Sequence, residues 1–213
     1  ITYPINFDPN KKYPVLANVY GGPNAGSIMD TWSSNPQQLW WAQEGIIQVV
    51  FDNRSSGHFG KKGMNYIHRQ MGKYETEDYM QCGKWLKEKP FVDANTLAIS
   101  GGSFGGYITC MALTYGADVF THGIANASVT DWQFYDTHYT ERYMDMPTEN
   151  PDGYKITSVM TYADKLKGLL RIVHGTSDDN VHMQNSLVFI NKLQDLKKHF
   201  EFMIYPGERH GIG

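Results

Sequence analysis

Short apolar runs alternate with helix-like stretches along the whole chain, and this alternation leaves few folds open. The strand-like runs cover residues 15–20, 46–51, 96–100, 123–127, 169–174 and 201–205. The helix-like stretches cover residues 37–44, 75–88, 104–115 and 183–196. Apolar runs that are nearly continuous are typical of strands covered on both faces. The order therefore predicts an α/β fold with a mostly parallel, doubly covered sheet.

Residues 128–163 interrupt this alternation. The segment is rich in Tyr, Thr, Asp and Pro, and it carries no long apolar run. We expect it to form a small inserted, cap-like segment of short helices over one end of the sheet. The 213 residues contain no internal repeat and no low-complexity linker, so we expect one domain over residues 1–213.

The composition excludes several classes of protein. Hydrophobic residues make up 41% of the chain and charged residues 19%, which excludes a disordered chain. The formal net charge of −3 does not favour a nucleic-acid partner, and no apolar stretch reaches the ~18 residues of a membrane span. Cys82 and Cys110 have no spacing for zinc or redox chemistry, so we expect two buried thiols on helices.

A Gly-x-Ser-x-Gly motif occupies residues 101–105, between a predicted strand and a predicted helix. A strand that reverses into a helix within three residues strains the backbone at the serine, and the flanking glycines avoid collisions in the turn. Dinucleotide-binding and phosphate-binding glycine motifs do not fit, because Ser103 stands where the former needs Gly and Tyr107 follows Gly106. The motif therefore predicts a nucleophilic Ser103 at a helix N-terminus.

A serine nucleophile needs a general base and an acid, which follow it in the order Ser, acid, His in this type of fold. His182 and His199 bracket the last helix and are interpreted as structural or surface residues. His210 follows the last strand, at the edge of the sheet where the serine emerges, and is the better base. Asp178 and Asp179 both follow the fifth strand, and the spacing does not separate them.

Several segments resemble the prolyl oligopeptidase family of serine peptidases, and most of all its dipeptidyl peptidase IV branch. They lie at residues 19–23, 52–57, 101–105, 136–144, 174–182 and 208–212, in family order over nearly the full length. The strings Tyr-Thr-Glu-Arg-Tyr-Met and Asp-Asp-Asn-Val-His are the most specific. The resemblance implies the α/β-hydrolase fold.

The resemblance also implies a role for individual residues. Ser103 matches the nucleophile, Asp178 the orienting acid and His210 the general base. Tyr20 matches the hydroxyl that completes the oxyanion hole beside the Phe104 amide. Asn180 matches a side chain that holds a substrate carbonyl, and the walls of the proline pocket are matched by Phe104, Val129, Trp132, Tyr135, Tyr139 and Val181. No metal or organic cofactor is implied.

Three positions depart from the family pattern. Gly102 stands where the family usually has Trp, Phe104 where it has Tyr, and Ser55 where it has Gly in the loop of Arg54. The missing ring at residue 102 bears on the packing of the turn, and Ser55 bears on the conformation of its loop. Phe104 lacks a hydroxyl but keeps the amide that the oxyanion needs.

The chain opens on Ile1 without Met or a leader, and we interpret it as the catalytic part of a longer protein. Relatives carry an N-terminal β-propeller that clamps the substrate amine, and we expect both it and the extreme C-terminus to be absent here. The implied function is release of N-terminal Xaa-Pro or Xaa-Ala dipeptides from peptides with a penultimate proline. The resemblance further implies a homodimer and an exported, periplasmic or cell-surface protein. Alternatives are a tripeptidyl, acylaminoacyl or endo-acting relative, an esterase, and a non-catalytic interaction domain.

Overall fold

A computed structural model describes residues 1–31 and 35–212 of the chain. Within these residues lie six strands, β1 (Tyr13–Asn18), β2 (Ile47–Val50), β3 (Val92–Gly102), β4 (His122–Asn126), β5 (Leu169–Gly175) and β6 (Glu201–Tyr205). The helices are α1 (Pro36–Gln43), α2 (Gly60–Met64), α3 (Lys73–Lys87), α4 (Phe104–Leu113), α5 (Thr137–Met144), α6 (Pro151–Thr157) and α7 (Gln184–Asp195). All six predicted strands and all four predicted helices are present. Helix α2 was not predicted, because its glycines and lysines carry no apolar periodicity.

The six strands form one parallel sheet in the order β2-β1-β3-β4-β5-β6. The chain moves from β1 outward to β2, then returns past β1 to β3 and continues outward in the other direction. The order of the strands therefore reverses between β1 and β3. In open parallel sheets, ligands bind at the carboxyl ends of the strands beside such a reversal.

One face of the sheet is fully covered. The side chains of Val15, Ile47, Leu97 and Leu170 point to this face and are 0–1% exposed. Helices α3 and α4 pack here, and α7 joins them through a 3₁₀ helix at Val159–Lys165. This face supplies the main core of the molecule.

The opposite face is covered only in part, so the expected double cover holds at one end of the sheet. Helix α1 lies over β2, where the Gln48 side chain donates to the Gln38 carbonyl at 2.7 Å. Farther along the same face, Ile124 is 41% exposed and Leu169 is 55% exposed. Alternate residues of β4 and β5 are therefore buried and exposed among the described residues.

Residues 128–163 form short helices, as expected. They contain a 3₁₀ helix at Trp132–Phe134, then α5, α6 and the start of the 3₁₀ helix at Val159–Lys165. Polar side chains cap the first turn of three of these helices: Asp131 accepts from the Gln133 N–H at 2.9 Å, Asp136 from the Tyr139 N–H at 2.8 Å, and Asn150 from the Gly153 N–H at 3.2 Å. Such caps allow short helices to begin without a long apolar stripe.

The two cysteines lie on helices, Cys82 on α3 and Cys110 on α4. Cys110 is buried as expected, whereas Cys82 is only half-buried, and both are free thiols. Burial raises the pKa of the Cys82 thiol to about 11 and that of Cys110 to about 12. Both thiols are therefore protonated near neutral pH. No helix among the described residues has the length and hydropathy needed to cross a bilayer.

Glu75, in the first turn of α3, is a buried acid that forms no ion pair with the other described residues. Its Oε2 accepts from the Gly72 N–H at 2.9 Å, while Oε1 lacks a hydrogen-bond partner. Burial raises the pKa of Glu75 to about 8. The folded protein therefore keeps a proton on this carboxyl near neutral pH, whereas the unfolded chain releases it near 4.5.

We expect the free energy of unfolding to fall as the pH rises from about 5 to 8, because Glu75 ionises in the unfolded state but stays protonated in the folded state over this range. The contribution from Glu75 is at most on the order of 5 kcal/mol. Glu75→Gln should flatten this slope, measured by urea denaturation at several pH values. Glu88→Gln, an exposed site after the same helix, is the control. Equal slopes for wild type and Glu75→Gln would contradict an acid that is neutral in the folded state.

Candidate active site

The turn between β3 and α4 holds Ser103 in a strained conformation. Its φ is +57° and its ψ is −119°, a region that non-glycine residues rarely adopt. A Cβ at Gly101 or Gly105 would lie only 2.4 or 2.2 Å from the Val19 carbonyl oxygen. Both glycines are therefore required because the turn packs directly against the end of β1. This contact also brings Tyr20, which follows β1, beside the turn.

Asp178 and His210 form a hydrogen-bonded pair at the same edge of the sheet. His210 Nδ1 lies 2.9 Å from Asp178 Oδ2. The Asp178 side chain is fully buried, whereas that of His210 is 27% exposed. The other carboxylate oxygen, Oδ1, accepts from the backbone N–H groups of Asn180 and Val181, at 3.0 Å each. The loop after β5 thus holds the carboxylate in one orientation toward His210.

The geometry separates the two aspartates that the spacing left open. Asp179 points to the surface and pairs with exposed Arg209 at 3.2 Å. Only Asp178 contacts His210 among the hydrogen bonds of the described residues. His182 and His199 are both exposed, and His199 precedes β6, at the opposite edge of the sheet from Ser103.

The loop that carries His210 lies directly on the loop that carries Asp178. The Ser177 N–H donates to the Glu208 carbonyl at 2.9 Å, and the Gly207 N–H donates to Thr176 Oγ1 at 2.8 Å. A Cβ at Gly175 would lie 2.3 Å from the Glu208 carbonyl oxygen. Gly175 is therefore needed for this close approach.

Ser103 is held through its backbone, since its N–H donates to the Asn126 carbonyl at the end of β4 at 2.8 Å. Within residues 1–31 and 35–212, no hydrogen bond joins the Ser103 side chain to His210. The structure therefore brings Asp178 and His210 into contact, while their catalytic roles and a proton transfer from Ser103 to His210 are proposals. Catalytic hydrogen bonds often shorten only when the substrate is bound.

A small cavity of ≈ 40 Å³ opens beside Ser103. Seven of the predicted site residues line it: Tyr20, Ser103, Phe104, Val129, Trp132, Tyr135 and Tyr139. The ring centroids of Trp132 and Phe104 are 5.4 Å apart, and those of Tyr135 and Tyr139 are 5.4 Å apart. Five of the seven lining residues are aromatic, so the cavity is a narrow aromatic slot directly at the nucleophile candidate.

The rings that line the slot are held in place and carry no charge. The buried indole of Trp132 donates to the Met71 carbonyl at 3.1 Å. Burial raises the pKa of the Tyr139 hydroxyl well above its usual range, so that this group stays neutral. The slot therefore presents an uncharged wall to its occupant.

Asn180 and Val181 lie outside the lining of this cavity. Asn180 is exposed, and its Oδ1 accepts from the Tyr135 hydroxyl at 2.7 Å. Val181 is fully buried, and its backbone N–H contacts Asp178. Asn180 thus reaches the rim of the slot through Tyr135, whereas the predicted role of Val181 as a pocket wall stays a prediction.

The three departures from the family pattern are accommodated in different ways. A Cβ at Gly102 would meet no atom closer than 3.8 Å, so the backbone leaves room for a side chain there. Phe104 is buried and packs against Trp132 and Tyr107. Ser55 is also buried, and its hydroxyl donates to Asn53 Oδ1 at 2.7 Å, which keeps its loop folded without a glycine.

His174 is a site residue that the sequence analysis did not single out. It lies near the end of β5, is fully buried, and places Nε2 3.2 Å from Asp178 Oδ2. Its position in the string His-Gly-Thr-Ser-Asp was the available signal, because alternation along β5 places it on the buried face. No cluster of three or more His, Cys, Asp and Glu side chains suited to a metal ion occurs in the described part of the chain.

Known proteins are similar to this chain in sequence and in fold. The profile of the prolyl oligopeptidase family matches residues 32–213. The chain belongs to the prolyl oligopeptidase family. This result confirms the resemblance noted in the sequence.

Relatives within the prolyl oligopeptidase family include dipeptidyl peptidases. Dipeptidyl peptidase 4 of Felis catus is 42% identical over 212 residues, which are 98% of this chain and 28% of that protein. Probable dipeptidyl-aminopeptidase B of Uncinocarpus reesii is 41% identical over 213 residues, or 98% of this chain and 23% of that protein. The chain thus spans about a quarter of the length of these curated relatives.

Solved structures of the family share the fold. The crystal structure of Porphyromonas gingivalis dipeptidyl peptidase 4 matches with a TM-score of 0.95 at 39% identity, over 99% of this chain and 30% of that chain. A putative dipeptidyl aminopeptidase IV from Bacteroides ovatus matches with a TM-score of 0.94 at 37% identity, over 99% and 30% of the two chains. These matches confirm the predicted α/β-hydrolase fold.

Proposed function

We propose that this chain is the catalytic domain of a serine dipeptidyl peptidase that releases N-terminal Xaa-Pro, or less readily Xaa-Ala, dipeptides. The observation that carries the proposal is the 2.9 Å contact of His210 with buried Asp178, at the sheet edge where Ser103 is strained beside an aromatic slot. The dipeptidyl peptidase names of the relatives support the same activity. Its partners in this proposal are peptides with a penultimate proline and a second copy of the chain.

In the acylation step, His210 Nε2 accepts the proton of the Ser103 hydroxyl as the oxygen attacks the carbonyl carbon of the second substrate residue. Asp178 accepts from Nδ1–H of His210, which leaves Nε2 free to act as the base. The imidazolium then returns its proton to the departing amine, and the C–N bond breaks. The products of this step are the shortened peptide and a dipeptidyl ester on Ser103.

The carbonyl oxygen gains negative charge in each tetrahedral intermediate. The Phe104 N–H is in the first turn of α4, where amides have no carbonyl four residues upstream to bond. We propose that this amide and the Tyr20 hydroxyl donate to the oxyanion. In the second step, water gives a proton to His210 and attacks the ester, and the proton returns to Ser103 as the dipeptide leaves.

The slot at Ser103 supports a preference for proline. A pyrrolidine ring is flat and apolar, so it fits between aromatic faces without leaving a polar group unpaired. A larger or charged side chain would meet the buried rings of Phe104 and Trp132. Tyr135 and Asn180 at the rim are the groups proposed to bind the substrate backbone.

Two other functions remain as candidates. A tripeptidyl, acylaminoacyl or endo-acting relative would use the same Ser103 but a different means of recognising the substrate amine. An esterase would use the same residues without a preference for proline. Both differ from the proposal in substrate choice, which makes them distinguishable in one substrate series.

The test is hydrolysis of a Gly-Pro anilide with a free amine and of its acetylated form, by this chain and by any longer protein that contains it. Cleavage of only the free-amine form is the expected result. Equal cleavage of both forms would favour an oligopeptidase. Cleavage of neither, with turnover of p-nitrophenyl acetate, would overturn the proposal in favour of an esterase.

Tyr139→Ala should lower kcat/KM for the Gly-Pro anilide by about 10- to 100-fold, because it removes one wall of the slot. The change for p-nitrophenyl acetate should stay within about threefold, since an acetyl group does not fill the slot. Tyr162→Ala, which removes a half-buried tyrosine outside the slot, is the matched control. Equal losses on both substrates would argue against a proline pocket at Tyr139.

A further inference from the structure

A second histidine contacts the candidate catalytic carboxylate from inside the protein. His174 is fully buried between the end of β5 and the start of α7. Its Nε2 lies 2.8 Å from the Val181 carbonyl oxygen and 3.2 Å from Asp178 Oδ2. Its Nδ1 lies 2.7 Å from the Ser186 hydroxyl. Each ring nitrogen therefore has a partner.

The partners determine which ring nitrogen carries the proton. A carbonyl and a carboxylate both face Nε2, and both are acceptors only. A lone pair on Nε2 would therefore face two acceptors and no donor. Ser186 has a hydroxyl and can donate to a lone pair on Nδ1. Of the two neutral tautomers, only the one with the proton on Nε2 satisfies these contacts.

In this tautomer, the Nε2–H group of His174 donates to the Val181 carbonyl and lies against the Asp178 carboxylate. Oδ1 receives the two backbone N–H groups of Asn180 and Val181, and Oδ2 receives His210, while the Nε2 of His174 lies 3.2 Å from Oδ2. The bond from His174 to the Val181 carbonyl also ties the far end of the aspartate loop to β5. The carboxylate cannot rotate about its axis without breaking several of these bonds.

We propose that His174, held in its Nε2–H tautomer by Ser186, is a positioning residue that orients the Asp178 carboxylate toward His210. His174 is fully buried behind Asp178 and does not line the slot at Ser103, so it acts through the aspartate rather than on the substrate. The inference rests on the proposed function for its kinetic consequence. The tautomer itself is a property of the folded protein and is independent of activity.

The kinetic test compares His174→Asn with His174→Gln. The amide nitrogen of Gln reaches about as far as Nε2 and can keep the donor, whereas Asn reaches only as far as Nδ1. His174→Asn should lower kcat about 100-fold with KM within about threefold, and His174→Gln should recover kcat to within about fivefold of wild type. Equal loss in both variants, or wild-type kcat in His174→Asn, would overturn the proposal. Circular dichroism checks that each variant is folded.

Ser186→Ala removes only the hydroxyl that holds the tautomer, and it should lower kcat about three- to tenfold, since about 1 kcal/mol of net hydrogen bonding is lost. Thr114→Val is the matched control. It removes a buried hydroxyl that donates to the Cys110 carbonyl at the C-terminal end of α4, far along the helix from Ser103. A similar loss of kcat in both variants would show a general effect of stability and overturn the role of Ser186.

Nitrogen NMR of ¹⁵N-histidine-labelled protein decides the tautomer without a substrate. We expect the His174 signals to show a protonated Nε2 and an unprotonated Nδ1, with assignment by comparison to His174→Gln. A proton on Nδ1 would overturn the inference. If the wild-type protein hydrolyses none of the substrates above, the proposed function fails, and this measurement alone decides the inference.

Discussion

Ser103→Ala should lower kcat/KM for the Gly-Pro anilide by about 10⁶-fold, which leaves only the rate enhancement that comes from substrate binding and the oxyanion hole. The variant loses the oxygen that forms the acyl-enzyme, and neither His210 nor Asp178 can replace it. Alanine is as strained as serine at a φ of +57°, so the fold and the stability should change little. A fluorophosphonate probe should label wild type at Ser103 and leave the variant unlabelled. Undiminished hydrolysis by the variant would remove Ser103 from the proposal.

Ser103→Gly is the matched control for the strain in this turn. Glycine adopts positive φ without a Cβ collision, so the variant should release about 1–3 kcal/mol of strain, less about 0.5–1 kcal/mol for glycine entropy. We therefore expect Ser103→Gly to be inactive and to melt a few degrees above Ser103→Ala. A lower melting temperature for the glycine variant would contradict strain at Ser103.

Asp178→Asn should lower kcat about 10⁴-fold, the loss typical when an orienting acid of this kind becomes an amide. The two backbone N–H groups at Oδ1 require an acceptor, so the Asn carbonyl must face them. Its NH₂ group then points to His210 and His174, where the native structure has an acceptor. His210 would turn its Nδ1 lone pair toward this donor and carry its proton on Nε2, which is the wrong tautomer for a base.

Asp179→Asn is the matched control, because the neighbouring carboxylate is exposed and pairs with exposed Arg209. An exposed ion pair contributes little, so this variant should keep kcat within about twofold. The measurement is steady-state hydrolysis of the Gly-Pro anilide by both variants. Equal losses in the two variants would contradict the distinction that the structure draws between Asp178 and Asp179.

The sequence predicted the strands, most helices and the serine turn because these depend on local features. Alternation of apolar runs predicted all six strands, and the glycines at 101 and 105 predicted the turn at Ser103. The structure gives those glycines a cause that is not local, the Val19 carbonyl at the end of β1. The uncovered part of the sheet was not predicted, because strand hydrophobicity alone does not report which helices pack on each face.

Asp178 and Asp179 show where reasoning from residue spacing alone ended. Both residues follow β5, and they are adjacent in the chain. Only the loop geometry after Gly175 determines which one is buried against His210 and which one faces solvent. The same holds for His174, whose contacts depend on α7 packing against the end of β5.

By itself, the sequence determined the α/β class, the order of the strands along the chain and the residues able to perform nucleophilic chemistry. These follow from periodicity and from turn residues, which act within a few positions of one another. The tertiary structure decided the pairing of Asp178 with His210, the aromatic slot at Ser103 and the contacts of buried His174. Those features join residues that are far apart in the chain, and they exist only because parallel strands end at one edge of the sheet.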